Sequence, residues 1–244
     1  MKTTLTLLVL FISTTLFAQQ TRKVGHFSGI MVATSIQADY IHSDKNEVVV
    51  SADNADHLKY VKTEVVNGTL EIRIENNQGK SIRNVRAVVY GPNKLKNISV
   101  SSSARLTIAP LVESSNVSLS VNSSGTLTAN VKASNLAVDV SSSANLKATV
   151  QVSDLACKVS SSADAVIRGS AQNTTIESSS SGTADLSGLK TKNATIYASS
   201  SSDASISVSD AITAKASSSA RIVYTGNPKT KTVDTSSSGK VVAN

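Results

Sequence analysis

The sequence holds one cysteine, Cys157, and no tryptophan, and aromatic residues make up 3% of its 244. A lone cysteine forms no internal disulfide, so packing has to supply the stability. The shortage of aromatics argues against a broad aromatic platform for sugars and against base stacking on single-stranded nucleic acid. Lys and Arg outnumber Asp and Glu, 24 to 17, for a net charge of +7. No run of five or six like charges and no nucleic-acid motif concentrates them, so they read as a solvated basic surface with no nucleic-acid partner. Beyond the N-terminus no long apolar run recurs, and no transmembrane segment is expected. The three histidines, His26, His42 and His57, fit no metal-ligand spacing and have no cysteine beside them. Neither a metal nor a cofactor is expected.

What is present begins with Lys2, an apolar run over Leu5–Phe17, and Ala18-Gln19-Gln20. A basic start, a short apolar core and a small residue before a polar stretch predict a secretory signal peptide over residues 1–18, cleaved after Ala18. Gln follows the expected site, not Cys, which argues against a lipid anchor. The expected location is the periplasm, the outer surface or the medium. Removing 18 of 244 residues leaves 226, and losing Lys2 takes the charge from +7 to +6. That length suits one large all-β domain or two modest ones.

Three serines and a small residue recur along the rest. The third serine falls at Ser103, Ser124, Ser143, Ser162, Ser181, Ser201, Ser219 and Ser238, at intervals of 21, 19, 19, 19, 20, 18 and 19. A period near 19 over eight copies marks a repeat architecture. Five residues before this anchor stand Ile98, Leu119, Val138, Cys157, Ile176, Ile196, Ala214 and Val233. Apolar or small residues also dominate three before it, three after it and five after it, with polar residues between. Period-two alternation means strands with one buried face. Each period therefore reads as two short strands joined by a serine corner. Such a unit cannot bury its own face, but stacked copies can. The fold class expected is all-β: a right-handed, single-stranded parallel β-helix of about eight 19-residue turns with an N-terminal β cap. At ~4.8 Å per turn the rod is roughly 35–40 Å long.

A tight corner explains the serines. Small side chains fit between close neighbours, and hydroxyls are expected to satisfy corner backbone groups or one another. Four before the anchor, Asp139, Lys158 and Glu177 alternate in sign, and Lys215 and Asp234 pair likewise. Opposite charges on neighbouring strands support register, so this column reads as structural. Cys157 reads as a small buried hydrophobe.

Residues 19–97 lack the serine repeat but still read as β and are expected to cap the solenoid, whose repeats fill 98–244. Asn67-Gly68 between two alternating runs predicts a hairpin, and Asp53 to Tyr60 a short helix. At the far end Val241-Val242-Ala243-Asn244 lie inside the last repeat. That edge is open to pairing with a second copy.

An enzyme on this scaffold needs clustered carboxylates. Asp164 and Asp203 share the column two after the anchor, with Thr183 between, while Asp185 and Arg168 lie near. Two turns put the first pair roughly 9–10 Å apart. Asp164, Asp185 and Asp203 are the candidates if the protein degrades polysaccharide. The same column holds Arg105, Thr126, Asn145, Arg221 and Lys240, as a tolerant surface would. Intervals of 18 to 21 leave no long loop to wall a cleft. The reading preferred is non-enzymatic.

Several motifs in order resemble the bacterial family of auto-transporter adhesins with a head GIN domain. They are F-S-G-I at Phe27–Ile30, V-V-V-S-A-D at Val48–Asp53, V-V-N-G-T-L-E-I at Val65–Ile72, the repeated S-S-G/A corners, and I-V-Y-T-G-N-P at Ile222–Pro228. The resemblance spans about 27–240, and S-S-A or S-S-G stands here where the family writes G-S-G. It implies an exported β-helical protein of Bacteroidetes-type bacteria, similar to pectin-lyase-like folds without their catalytic residues, with a role in adhesion. The ligand is then an extracellular or envelope component, a polysaccharide or a cell-surface protein.

Overall fold

The protein is described by a computed structural model covering residues 18–75 and 79–244. The apolar run read as a signal peptide lies outside the described residues. The first strands are β1 (Ala18–Lys23), β2 (Gly29–Val32), β3 (Gln37–His42) and β4 (Glu47–Ala52). A 3-10 turn over Ala55–Tyr60 follows, started by the Asn54 side chain, which accepts from the Asp56 amide at 2.9 Å. Then come β5 (Val61–Val66), β6 (Thr69–Ile74), β7 (Arg86–Gly91) and β8 (Asn97–Val100). The repeats supply β9 (Arg105–Val121), β10 (Thr126–Val140), β11 (Asn145–Val159), β12 (Asp164–Ser178), β13 (Thr183–Ala198) and β14 (Asp203–Ala216). The chain closes with β15 (Arg221–Thr225), β16 (Thr230–Thr235) and β17 (Lys240–Ala243).

These strands stack in parallel as a β-solenoid of about eight turns, about 19 residues apart. The expected register is met column by column: Leu127 faces Leu106 and Leu146, and Val138 faces Leu119 and Cys157. The alternating apolar positions form one continuous core. Two short strands per period is a correction to make. From β9 to β14 each period is one strand of 14 to 17 residues from one serine corner to the next, with register shifts in some pairings, and the last period alone divides, into β15 and β16. A further inward column, seven before the anchor, adds Val117, Leu136, Leu155, Thr174, Ala194 and Ile212 to the buried set.

The corners turn because two consecutive serines adopt left-handed backbone, φ 47° to 64° in all eight copies. Such angles are uncommon for residues with a Cβ. The expectation that serine hydroxyls close the corner is not met. The anchor amide instead donates to a backbone carbonyl one turn on, as Ser143 does to Ser161 at 3.0 Å, and the next amide closes the turn, as Ala144 does on Ser141 at 3.3 Å. Among the described residues no hydroxyl at the three corner positions hydrogen-bonds within the chain. The residue after the anchor is buried in every copy but the last, where Gly239 is partly exposed, and in the Gly copies a Cβ would lie 2.2 to 2.9 Å from a carbonyl oxygen of the preceding turn. Contact that close explains why only Ala, Gly or Ser stands there.

The first third does more than cover an end. Strands β2 and β3 form a turn of the stack around a Thr34-Ser35 corner, with φ 60° and 57° like the serine corners. That turn lies between β6/β7 on one side and β8/β9 on the other, all parallel. Spatial order therefore departs from chain order. Outside it β4 runs antiparallel to β7, β1 to β4, and β5 to β6 through the Asn67-Gly68 hairpin. The F-S-G-I segment packs here: Phe27 meets Tyr40 edge-on at 6.5 Å, and the Tyr40 hydroxyl donates to the Pro92 carbonyl at 2.6 Å. Burial holds the Tyr40 hydroxyl above its ordinary pKa. A Cβ on Gly91 would lie 2.4 Å from the Phe27 ring, so the glycine is required by close approach.

Candidate functional site

Of Asp164, Asp203, Asp185 and Arg168, only the last two meet. Asp164 and Asp203 pair with Thr183 from either side, so two strand spacings separate them, and both carboxylates are exposed. Asp185 occupies the next outward column, between Val166 and Ser205. Its carboxylate is engaged in shaping the backbone. It accepts from the Ser187 amide at 3.0 Å, the Ser187 hydroxyl at 2.6 Å and the Ser205 hydroxyl at 3.0 Å, and pairs with Arg168 at 3.3 Å. Register shifts flank this point on both sides, between Val166 and Gly169 and between Leu186 and Lys190. Partial burial pushes the Asp185 carboxyl up. The Ser187 and Ser205 hydrogen bonds and the Arg168 charge outweigh that and leave it below its ordinary value. The set thus divides into two solvated acids and one structural acid. Among the described residues no cluster of three His, Cys, Asp or Glu side chains is placed to hold a metal.

Cys157 lies in the core at 2% exposure, between Val138 and Ile176. Burial, then the Asp139 charge, pushes its thiol up to about 12. A thiol in that state is not a nucleophile.

The outward columns form long rows at the strand spacing. One such row is contained in the repeat alignment but carries no apolar or charge signal: eight before the anchor stand Asn116, Asn135, Asp154, Asn173 and Asn193. Their side chains hydrogen-bond up the stack, Asn135 to Asn116 at 2.8 Å, Asn173 to Asp154 at 2.8 Å and Asn193 to Asn173 at 3.0 Å. The row of alternating charge four before the anchor is in the expected register. Lys158 and Glu177 pair at 2.9 Å, and the contact raises the Lys158 pKa. This row does more than support register. With the neighbouring serines it walls an open groove of about 660 Å³ that crosses five turns. Its flanks carry Lys158, Glu177, Tyr197, Lys215 and Asp234, and Tyr197 is 45% exposed.

Comparison with known proteins places this scaffold. A structure from Parabacteroides distasonis, described as a putative lipid binding protein, superposes with a TM-score of 0.84 at 21% identity, over 93% of this chain and 96% of its own. A putative adhesin from Parabacteroides merdae superposes with a TM-score of 0.82 at 16% identity, over 93% and 96%. A second putative adhesin from Parabacteroides distasonis gives 0.81 at 19% identity, over 94% of each chain. At such identities the likeness is one of fold. No curated protein matches the chain. The family model for the putative auto-transporter adhesin, head GIN domain, matches residues 26–228, and the chain belongs to that family.

Proposed function

We propose that this protein is an exported, non-enzymatic adhesin that binds an extracytoplasmic ligand through repeated contacts along the side of its solenoid. The observation that carries the reading is the surface itself. Polar side chains recur in rows one strand spacing apart, and the concavities between them are open grooves. Family membership supports an adhesin-like role. The scattered carboxylates support the absence of hydrolysis, since Asp185 is engaged and Asp164 and Asp203 stand apart. No described helix is long and apolar enough to cross a membrane. Export rests on the Leu5–Phe17 run, and N-terminal sequencing of the protein recovered from the producing cell tests it. Cleavage after Ala18 is the expected result, and an intact Met1 refutes it.

Function is tested by incubating the purified protein with plant, host and bacterial polysaccharides, intact cells, and anionic and neutral phospholipid vesicles. The vesicles probe the property named for the Parabacteroides distasonis relative. Retention without release of reducing or unsaturated ends is expected. Release of ends that Asp164→Asn with Asp203→Asn abolishes would make the protein an enzyme.

A further inference from the structure

We infer that the groove crossing β11 to β16 is a binding site for an uncharged, extended glycan laid along the solenoid axis, with Tyr197 as the stacking surface. The inference rests on the adhesin reading and names the ligand class of its side face. Five successive turns contribute in register: Lys158, Glu177, Tyr197, Lys215 and Asp234 on one flank, and the serines two residues further along each strand on the other. Two positive and two negative side chains leave the lining neutral. A neutral lining does not select a polyanion, whereas sugars need donors and acceptors side by side.

Those groups are available. The serine hydroxyls lining the groove at Ser160, Ser179, Ser199 and Ser217 have no partner within the chain. Lys215 and Asp234 face each other across adjacent strands without closing an ion pair of the Lys158–Glu177 kind. Tyr197 interrupts a column otherwise made of polar and charged residues. It sits midway along the groove, and its ring makes no contact with another ring or cation. A half-exposed ring amid hydrogen-bonding groups suits the apolar face of a pyranose, which combines a hydrophobic patch with hydroxyl edges. One ring at the centre suffices for a single sugar, so the low aromatic content that argues against a broad platform does not argue against this site. Spacings are also comparable, because an extended β-1,4-linked hexose chain advances about 5 Å per sugar, close to the ~4.8 Å that separates neighbouring strands. Successive sugars of such a chain alternate in orientation, so equivalent contacts recur at every second turn.

The test is titration calorimetry of the full protein with cellobiose, cellohexaose, chitohexaose and polygalacturonate at low and high salt. Affinity for at least one hexasaccharide is expected to exceed that for its disaccharide by about tenfold, since a groove of several turns adds contacts as the chain lengthens. It is expected to be insensitive to salt. Tyr197→Ala should weaken hexasaccharide binding by about tenfold or more, and Tyr197→Phe should stay within about threefold, because stacking needs the ring and not the hydroxyl. Tyr197 is surface-exposed, and an unchanged melting curve for the alanine variant verifies its fold. Hexasaccharide binding that Tyr197→Ala leaves unchanged overturns the site while leaving an adhesin that binds elsewhere. Binding of polygalacturonate alone, weakened by salt, overturns it in favour of the basic surface. No binding of any of these glycans overturns it too, and attachment to cells or vesicles then decides the adhesin reading separately.

Discussion

The residues that break the repeat pattern are accounted for by one another. Ser178 is the first polar residue in the column three before the anchor, and Ser202 the one hydroxyl directly after an anchor. Both are buried and they are neighbours: Ser202 donates to the Ser178 carbonyl at 2.8 Å, and Ser178 donates to the Gly182 carbonyl at 3.0 Å. Thr174 and Thr191 form a second buried pair at 3.0 Å. Buried hydroxyls that find partners cost little, whereas orphaned ones are expensive. Asp185 follows the same logic at the surface, and its effect depends on pH. Its pKa is lowered in the folded state. Its contribution is therefore present above the unfolded carboxylate value of about 3.9 and lost as pH falls through the lower folded value. Asp185→Asn is expected to lower the melting temperature at pH 7 and to make a shrinking difference below about pH 3.9, read by thermal denaturation across pH. Cys157 gives a second residue-scale prediction. With its thiol raised to about 12 and 2% exposed, it should resist alkylation at pH 8 in the native protein and react fully in denaturant. Rapid native labelling would contradict the buried setting.

At the scale of the element, the serine corner is a backbone device. Two consecutive left-handed residues turn the chain while the anchor amide stays paired with the next turn and the amide after it closes the corner. Size and backbone tolerance therefore decide what the corner accepts. Ser143, with φ 59°, is a direct test. Ser143→Val is expected to cost about 1–2 kcal/mol, because a β-branched side chain resists left-handed backbone. Ser143→Asn should cost about 0.5 kcal/mol or less, since Asn tolerates that region. Chemical denaturation reads both, and equal losses would mean that the hydroxyl carries the corner after all. Elsewhere the chain bends through glycine. At Gly169, φ 119°, an added Cβ would lie 2.0 Å from the Val150 carbonyl oxygen, so no side chain fits there. The outer strand of the N-terminal hairpin, β5, carries charges of both signs, with Lys62 paired to Glu64 along the strand and Lys62 to Glu75 and Arg73 to Glu64 across to the β6 side. Such residues discourage further strand addition.

At the scale of the whole molecule the two ends differ. On one side β1, β4 and β5 lie antiparallel outside the stack. On the other, β16 and β17 carry no further strand among the described residues, and Val233 and Val242 are 50% and 38% exposed. The same column thus has different meanings along the rod. Ile196→Lys places a charge where the native residue is 0% exposed, and a loss of about 4 kcal/mol or more is expected. Val233→Lys, two repeats further along the same column but half exposed, should change stability by about 0.5 kcal/mol or less. Comparing their denaturation midpoints checks the pair, and similar losses would mean that the last turn is covered in solution. Chain order adds a constraint on assembly. The turn built by β2 and β3 rests on β6 and β7, which come later in sequence, so it is completed only after residues 69–108 have folded around it.

By itself the sequence determined the solenoid, its period and its inward columns, because alternation over eight copies has one packing solution. The hairpin at Asn67-Gly68 was also legible, since its turn chemistry is local. The inward column of the repeat likewise marked Cys157, between Val138 and Ile176, as a core residue. Tertiary structure alone decided which turn lies beside which in the first third, because β2, β3, β6 and β7 share no repeated motif and their order depends on partners distant in sequence. It also engaged Asp185 with Ser187, Ser205 and Arg168, beside bulges whose register steps the repeat alignment does not contain. The groove around Tyr197 became visible only there, since a column read as register support turns into a wall once the neighbouring serines curve away from it.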